Sequence, residues 1–572
     1  MFPENQTGYP SVDMPWLKYY TEEAKNIDLQ ACSMYEYIYR NNKEHLDDIA
    51  LVFFNRRITY RFFFENINKT ARAFSAIGVK KGDTVTLCML NSPELVYILY
   101  SLNMLGAVTC VVNVLSSETE LNHYVDEVNS NTIVTDDLFF EKCSKVACKK
   151  DIKNLIWVSL FESLNIQKRA LYRLKVKKPN SKVSDKIISW KRFIKFGTRG
   201  ISVTPSFEKG TCAVIGHTGG TTGIPKGVML TSESFNIVAA QIALMFAPHR
   251  QESCIDTIVP FAIYGLMVDI HLPLSVGMKV ILIPKVDPQS FDKLLMKYRP
   301  NYIPSIPLYW APIISSERIR DLSFIKWASS GGSGFSQEQI DRLNQVLKSH
   351  NANAGLMMGY GLSESCALAC VQTKGNDEPE SVGSPLPLNV ISAFDPEDGA
   401  EKKYGEIGEL CICGPSLMIG YVNNVRETES AIRIHKDGQK WLHTGDLGYI
   451  SDSGSVYIIG RMKRVYITQK DGAVSKIYPD RIENMLIQHS AIDKSCVICV
   501  KDDEDINKAV FFGVLKAEYK DNSETIRAEL EEKCKKDLPA YAWPVRYLFI
   551  DDIPMTPVGK TDYQALENML KE

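Results

Sequence analysis

The sequence predicts an α/β fold: a large N-terminal domain of parallel and mixed sheets covered by helices, then a small C-terminal α/β domain. Two observations lead there. Short apolar, strand-like runs alternate with segments of helical period through most of the chain, the pattern of a helix-covered parallel sheet. The 572 residues, 45% apolar and 23% charged, have ordinary globular composition and enough length to bury more than one core.

The elements follow in order. The first thirty or so residues are polar and aromatic and read as an extended lead-in. Thr59-Tyr60 opens a helix through Ala76, with Phe62, Phe63, Ile67, Ala71 and Phe74 at helical spacing. Gly78 and the turn Lys80-Lys-Gly-Asp83 stop it. A strand over Val85–Leu90, a helix over Pro93–Leu105 ended by Gly106, and a strand over Val108–Val112 come next. The rhythm resumes at Thr211 and runs to about Phe394. Strand-like segments with Gly turns follow, including Gly408–Cys413 and Ser455–Ile459. A final unit reads helix 479–489, strand 495–500, strand 510–515, helix 523–536 and strand 547–550. The boundary is placed near Gly460, giving domains 1–460 and 461–572.

Charge and cysteine content narrow the function classes. A net charge of -2 disfavours a protein that coats nucleic acid. The exception is 168–199, rich in Lys and Arg with Asp185 its lone acid. It reads as a solvated surface excursion, with weak membrane-surface contact as the alternative, because Leu171, Tyr172 and Leu174 interleave with the charges. The 14 cysteines are scattered, without a disulfide framework or zinc spacing. Cys496-Val-Ile-Cys499 lies in an apolar run and reads as buried strand thiols. Free thiols and an N-terminus without a signal-peptide pattern lead us to expect a reducing, cytoplasmic setting. The apolar stretch Ile258–Val268 is too short to span a bilayer.

The chemistry concentrates at Thr211–Gly227. A strand ending at His217 runs into Thr218-Gly-Gly-Thr-Thr-Gly-Ile-Pro-Lys-Gly227. Gly219, Gly220 and Gly223 let backbone N–H groups approach phosphate oxygens; the Thr221 and Thr222 hydroxyls and the Lys226 ammonium complete a polyanion cradle. Pro225 before Lys226 departs from the Gly-Lys-Ser/Thr of a Walker-type loop, which disfavours a P-loop NTPase.

This loop resembles the signature of the adenylate-forming enzymes: acyl-CoA and aryl-CoA synthetases, peptide-synthetase adenylation domains and luciferases. Further motifs stand in that family's order: Gly359-Tyr-Gly-Leu-Ser-Glu364, Trp441-Leu-His-Thr-Gly-Asp446, Gly460-Arg-Met-Lys463 and Pro554-Met-Thr-Pro-Val-Gly-Lys560. The resemblance, closest to the acyl-CoA synthetases, spans about Thr59 to Leu566. It implies a ligase that joins a carboxylate to the α-phosphate of ATP and then passes the acyl group to a thiol. Both first reactants are anions, so the site needs cations and hydrogen-bond donors.

The resemblance also assigns roles. Glu364 holds Mg²⁺, which suits a hard cation. Tyr360 offers its ring to adenine, with Gly361 and Ser363 beside it; Gly331 and Gly332 line the nucleotide pocket. Asp446 accepts hydrogen bonds from the ribose hydroxyls and Arg461 makes a second ribose contact. Lys560, with Glu364 and Thr222, is catalytic, bridging the acid and the α-phosphate. Ala262, Ile263, Tyr264, Ser333 and Gly359 border the acid. Lys463 is the hinge about which a mobile C-terminal domain swings, and Gly472 lines the thiol tunnel. The thiol is CoA, or alternatively the phosphopantetheine of an acyl-carrier protein; a non-catalytic nucleotide-binding relative would lack Lys560, Glu364 or Asp446.

Two departures bear on the acid. Many acyl-CoA and aryl-CoA relatives have His where Ala262 falls. Amino-acid-activating relatives place an Asp at about Ile263 to pair with the substrate ammonium, which Ile cannot do. An apolar fatty or aryl acid is therefore expected. The loop after Lys463 is also about four residues longer than is usual in the family.

Overall fold

The computed structural model describes residues 7–28, 31–150, 152–160, 162–164, 186–198, 203–218, 225–332, 334–373, 375–464, 466–470, 473–502, 506–555 and 561–570. Gly219–Ile224, Ser333, Gly472 and the loop from Thr556 to Lys560 fall outside them, so the expectations for Gly219, Gly220, Thr221, Thr222, Gly223, Ser333, Gly472 and Lys560 have no structural counterpart.

Two large sheets build the N-terminal part. One has eight strands, in the order Gly420–Tyr421, Gly227–Thr231, Cys212–His217, Val108–Val111, Thr84–Cys88, Thr132–Asp136, Asn154–Val158, Ile187–Ser189. It is parallel from Cys212–His217 to Ile187–Ser189 and antiparallel at its other edge. The second has nine strands with a parallel centre, including Tyr302–Ser305, Trp327–Ser330 and Leu356–Tyr360 side by side. A five-stranded antiparallel sheet, containing Gly408–Cys413, Lys440–Ile450 and Val456–Arg461, follows.

Between the large sheets lies the main apolar core. Helix Tyr60–Ala76 is capped by the Thr59 hydroxyl and buries Phe63, Ile67, Ala71 and Phe74. Helix Pro93–Leu105 is buried nearly all round and ends, as expected, at Gly106 with φ 69°. A helix apolar on every face belongs between layers, not on a surface.

Two expectations are corrected. The lead-in is not extended: it forms helical turns at Pro10–Asp13, Pro15–Tyr19 and Glu22–Lys25 and buries Trp16 at 1% exposure. Proline at the first position of the first two turns presets φ, and Thr21 caps the third. Within the basic segment, 165–185 and Arg199 are outside the described residues, but the rest is no solvated excursion. Strand Ile187–Ser189 joins the edge of the eight-stranded sheet, and helix Trp190–Phe196 buries Phe193 edge-on against Phe74 at 4.8 Å.

The C-terminal unit has its own cores on the two faces of strands Ile492–Lys501, Asn507–Leu515 and Arg546–Phe549. Cys499 packs on one face and Cys496 on the other. Residues three apart on a strand point to opposite sides, so this pair shares no metal. All 14 cysteines are free thiols. No helix among the described residues is long and apolar enough to cross a membrane.

One buried acid has a measurable consequence. Glu94, 2% exposed, accepts a hydrogen bond from the Ser163 hydroxyl at 2.6 Å, and burial pushes its carboxyl up to about 7 from an ordinary 4.5. The native state therefore keeps a proton that the unfolded chain sheds between those values, and stability falls as pH rises through that window. Glu94→Gln should remove this slope. Denaturant midpoints should show the variant more stable by up to about 3 kcal/mol near pH 8 and close to the parent below about pH 4; parallel pH profiles would contradict this.

Candidate active site

The site lies at the carboxyl ends of the parallel strands of the nine-stranded sheet, where α/β proteins gather ligands. Gly331 and Gly332 follow strand Trp327–Ser330, and Tyr360 closes strand Leu356–Tyr360. A continuous cleft of 3610 Å³ runs from here toward the C-terminal unit, far larger than a single ligand pocket.

Glycines make room at two points. Beyond Tyr360 the chain folds back so tightly that a Cβ on Gly361 would lie 2.1 Å from the Ala367 carbonyl oxygen. A Cβ on Gly331 would sit 3.3 Å from the Gly359 carbonyl oxygen, closer than side chains normally approach. Ser363 and Glu364 occupy the short helical turn that follows.

Tyr360, Asp446 and Arg461 come together from three strands. The Tyr360 hydroxyl donates to Asp446 Oδ2 at 2.6 Å, and Arg461 Nε meets Oδ1 at 2.6 Å. Burial raises the Asp446 carboxyl, and the Arg461 charge and the Tyr360 hydrogen bond oppose that rise. Burial likewise lifts the Tyr360 hydroxyl, so it stays a donor. Gly445, at φ 71°, turns the chain just before Asp446, and its N–H donates to Glu409 Oε1 at 3.0 Å.

Glu364 faces the same cleft. Its Oε1 accepts from the Tyr421 hydroxyl at 2.8 Å, and its other oxygen has no hydrogen-bond donor among the described residues. That free oxygen fits a hard cation such as Mg²⁺. Lys226 is not free: it pairs with Glu427 and lies over the Tyr421 ring, 4.9 Å from its centre.

Strands Cys212–His217 and Gly227–Thr231, which flank the Gly/Thr segment in the sequence, are antiparallel neighbours in the eight-stranded sheet. Thr218 N–H donates to the Lys226 carbonyl at 3.0 Å. Glu127 spans the loop's base: Oε2 pairs with His217 Nε2 at 2.9 Å and Oε1 accepts from Gly227 N–H at 3.3 Å.

The predicted acid-binding residues divide. Ala262 and Tyr264 line the cleft, and the Tyr264 hydroxyl reaches the Ser305 carbonyl at 3.5 Å. Ile263 also borders the cleft but is 2% exposed and packs so closely on Gly216 that a Cβ there would lie 2.4 Å from its Cδ1. Phe246, Phe261, Leu308 and Met357 extend an apolar wall.

Tyr421, Glu427 and Glu127 were not among the predicted site residues. Each meets its partner from far away in the sequence, and no local motif marks it. Strand Val456–Arg461 pairs Arg461 with Asp446, while Lys463 lies in a short turn, Met462–Arg464, beyond it. Arg464 then pairs with Asp480 and with Glu483 at 2.7 Å, inside the C-terminal unit.

The chain matches the AMP-binding enzyme family over residues 38–422 and the AMP-binding enzyme C-terminal domain over 481–560. It belongs to the AMP-binding enzyme family. Among individual relatives, it is 30% identical over 558 residues to a long-chain-fatty-acid–CoA ligase of Bacillus subtilis, covering 96% of both chains. It is 26% identical to a 4-coumarate–CoA ligase of Vanilla planifolia, over 86% of this chain and 85% of that one. Its fold is similar to that of ATP-bound MatB from Rhodopseudomonas palustris, with TM-score 0.80, 20% identity and coverage of 95% of this chain and 99% of that one.

The clearance at Gly361 gives a test. Gly361→Ala should displace Tyr360 and weaken AMP binding by roughly an order of magnitude or more. Gly334→Ala, whose Cβ would meet nothing within 4 Å, should bind AMP like the parent. Equal AMP affinity of the two variants by calorimetry would contradict the placement.

Proposed function

We propose that this protein is an AMP-forming acid–thiol ligase that activates an apolar carboxylic acid with ATP and transfers the acyl group to CoA. The observation that supports it best is the meeting of Tyr360, Asp446 and Arg461 beside Glu364, in a chain aligned end to end with a long-chain-fatty-acid–CoA ligase. Tyr360 stacks on adenine. Asp446 and Arg461 exchange part of their mutual contact for the ribose hydroxyls. Gly331, Gly332, Gly361 and Ser363 border the nucleotide, and Thr218 to Gly223 with Lys226 hold the phosphates. Glu364 holds Mg²⁺, which would offset phosphate charge.

In the first half-reaction a carboxylate oxygen of the acid attacks the α-phosphorus. The bond to the bridging oxygen breaks and pyrophosphate leaves. Lys560 neutralises charge at the attacked centre. The residues that bracket its loop support that role: Met555 and Thr561 pair with each other and both line the cleft. In the second half-reaction the thiol sulfur attacks the acyl carbon and AMP leaves. Ala262, Tyr264 and the apolar wall favour a fatty or aryl acid, with Ile263, Ser333 and Gly359 beside it. Gly472, beyond Lys463, borders the thiol path.

The domain division at 460/461 also belongs to this reading. Arg461 pairs with Asp446 in the N-terminal part, and Arg464 pairs with Asp480 and Glu483 in the C-terminal unit. Met462 and Lys463 are the link between them, which supports a hinge at Lys463.

Pyrophosphate release over a panel of fatty, aryl and α-amino acids, with and without CoA, tests the reading. Fatty or aryl acids should give release and, with CoA, thioester. A preference for α-amino acids, or transfer only to a carrier-protein phosphopantetheine, would overturn the corresponding part. Lys560→Ala should slow adenylate formation by about 10²–10³-fold, the scale of losing one preorganised donor, and should still convert supplied acyl-adenylate to thioester. Full adenylation activity would remove the assignment.

A proline at Lys463 fixes φ near -65°. Lys463→Pro should impair thioester formation far more than adenylation, whereas Lys463→Ala should spare both. Single-turnover rates for each half-reaction decide; equal slowing of both by Pro in a folded protein would displace the hinge.

A further inference from the structure

Three side chains of metal-ligating type, Glu409, Cys411 and His443, cluster close to the Thr444–Asp446 turn. Cys411 and His443 face each other across strands Gly408–Cys413 and Lys440–Ile450. Glu409, two residues before Cys411, shares their face. Glu409 Oε2 lies 2.7 Å from His443 Nδ1, and Cys411 Sγ lies 3.5 Å from the same nitrogen. The three ligand atoms all fall within 4.8 Å of one another. The Glu409 and His443 side chains are each 8% exposed, so the cluster is enclosed, yet both border the cleft.

This spacing matches a tetrahedral centre. Bonds of about 2.3 Å to sulfur and about 2.0–2.1 Å to nitrogen put those two ligands about 3.5 Å apart. The carboxylate would need to retreat only about 0.6 Å to reach its own tetrahedral distance. Three protein ligands leave a fourth position for water from the cleft.

The surroundings also fit a metal. His443 Nε2 faces His435 Nε2 at 2.9 Å, so once Nδ1 takes a metal the outer N–H has an acceptor that fixes the tautomer. The His435 ring stacks on Trp441 at an interplanar angle of 16°, and its Nδ1 is a buried polar atom with no hydrogen-bond partner among the described residues. The remaining Glu409 oxygen, Oε1, is held by Gly445 N–H at 3.0 Å.

We propose that Glu409, Cys411 and His443 form a binding site for a zinc-type ion, with His435 as its positioning residue. Thiolate, imidazole and carboxylate together select Zn²⁺, Co²⁺ or Cd²⁺ over Mg²⁺. The ion cross-links the two strands at His443, two residues before the Gly445 turn that presents Asp446. Metal occupancy is thereby tied to the geometry of the nucleotide site without using the Mg²⁺ ligand.

Co²⁺ titration of the full-length protein tests this. One equivalent should produce tetrahedral visible bands and a near-ultraviolet thiolate-to-cobalt charge-transfer band, displaced by Zn²⁺ and not by excess Mg²⁺. Cys411→Ser should abolish the charge-transfer band, whereas Cys148→Ser, at an exposed thiol elsewhere, should keep it. His435→Gln should retain the band but weaken Co²⁺ binding by about 10–100-fold. If Cys411→Ser does not fold, His443→Gln takes its place and should lose the tetrahedral bands. Absence of the band in the parent, its persistence in Cys411→Ser, its loss in Cys148→Ser, displacement by Mg²⁺, unchanged affinity in His435→Gln or an unchanged spectrum in His443→Gln would each overturn the site.

Discussion

Asp446 is a buried carboxylate held between a phenol and a guanidinium, and three parts of the molecule meet at it. Tyr360 reaches it from the nine-stranded sheet, and its own strand belongs to the five-stranded sheet. Arg461 ends the strand that leads toward the C-terminal unit. A carboxylate this enclosed is costly unless partnered. Arg461 is 53% exposed, so solvent screens much of its attraction, and the Tyr360 hydrogen bond shares the task of holding the charge. Sheet, turn and linker are thereby kept in register by one side chain. The Gly445 turn and the Glu409–His443 pair behind it support the same point from the other side.

The link after Arg461 gives that arrangement a second use. Arg461 N–H donates to Asp480 Oδ2 at 3.0 Å, and Arg464 pairs with the same Asp480. Asp480 thus touches both ends of a two-residue link. A swing of the C-terminal unit would break the contact to the Arg461 backbone and keep the Arg464 pair, which travels with Glu483 and the Val497 carbonyl. A single site could then exclude water in one arrangement and admit a thiol in the other.

The parts of this molecule that were legible in the sequence are those where backbone geometry dictates residue type. Gly361 leaves no space for a side chain, Gly445 takes a left-handed φ, and Gly106 stops a helix. Such demands leave local marks. The α/β rhythm was legible for the same reason, since strand and helix periods are local. Contacts across long separations left none: Glu127, Tyr421 and Glu427, which reach Gly227, Glu364 and Lys226, have neighbours that look ordinary. The N-terminal turns around Trp16 and the strand and helix at Ile187–Phe196 escaped because their burial depends on surfaces supplied elsewhere in the chain.

The chemistry rests on one order of events: an acid is joined to AMP before any thiol takes part. Exchange of radiolabelled pyrophosphate into ATP measures that step alone. Exchange should require a carboxylic acid and Mg²⁺, proceed without CoA and return the label in ATP, with AMP rather than ADP released once CoA is added. Exchange that needs CoA, or formation of ADP, would contradict it.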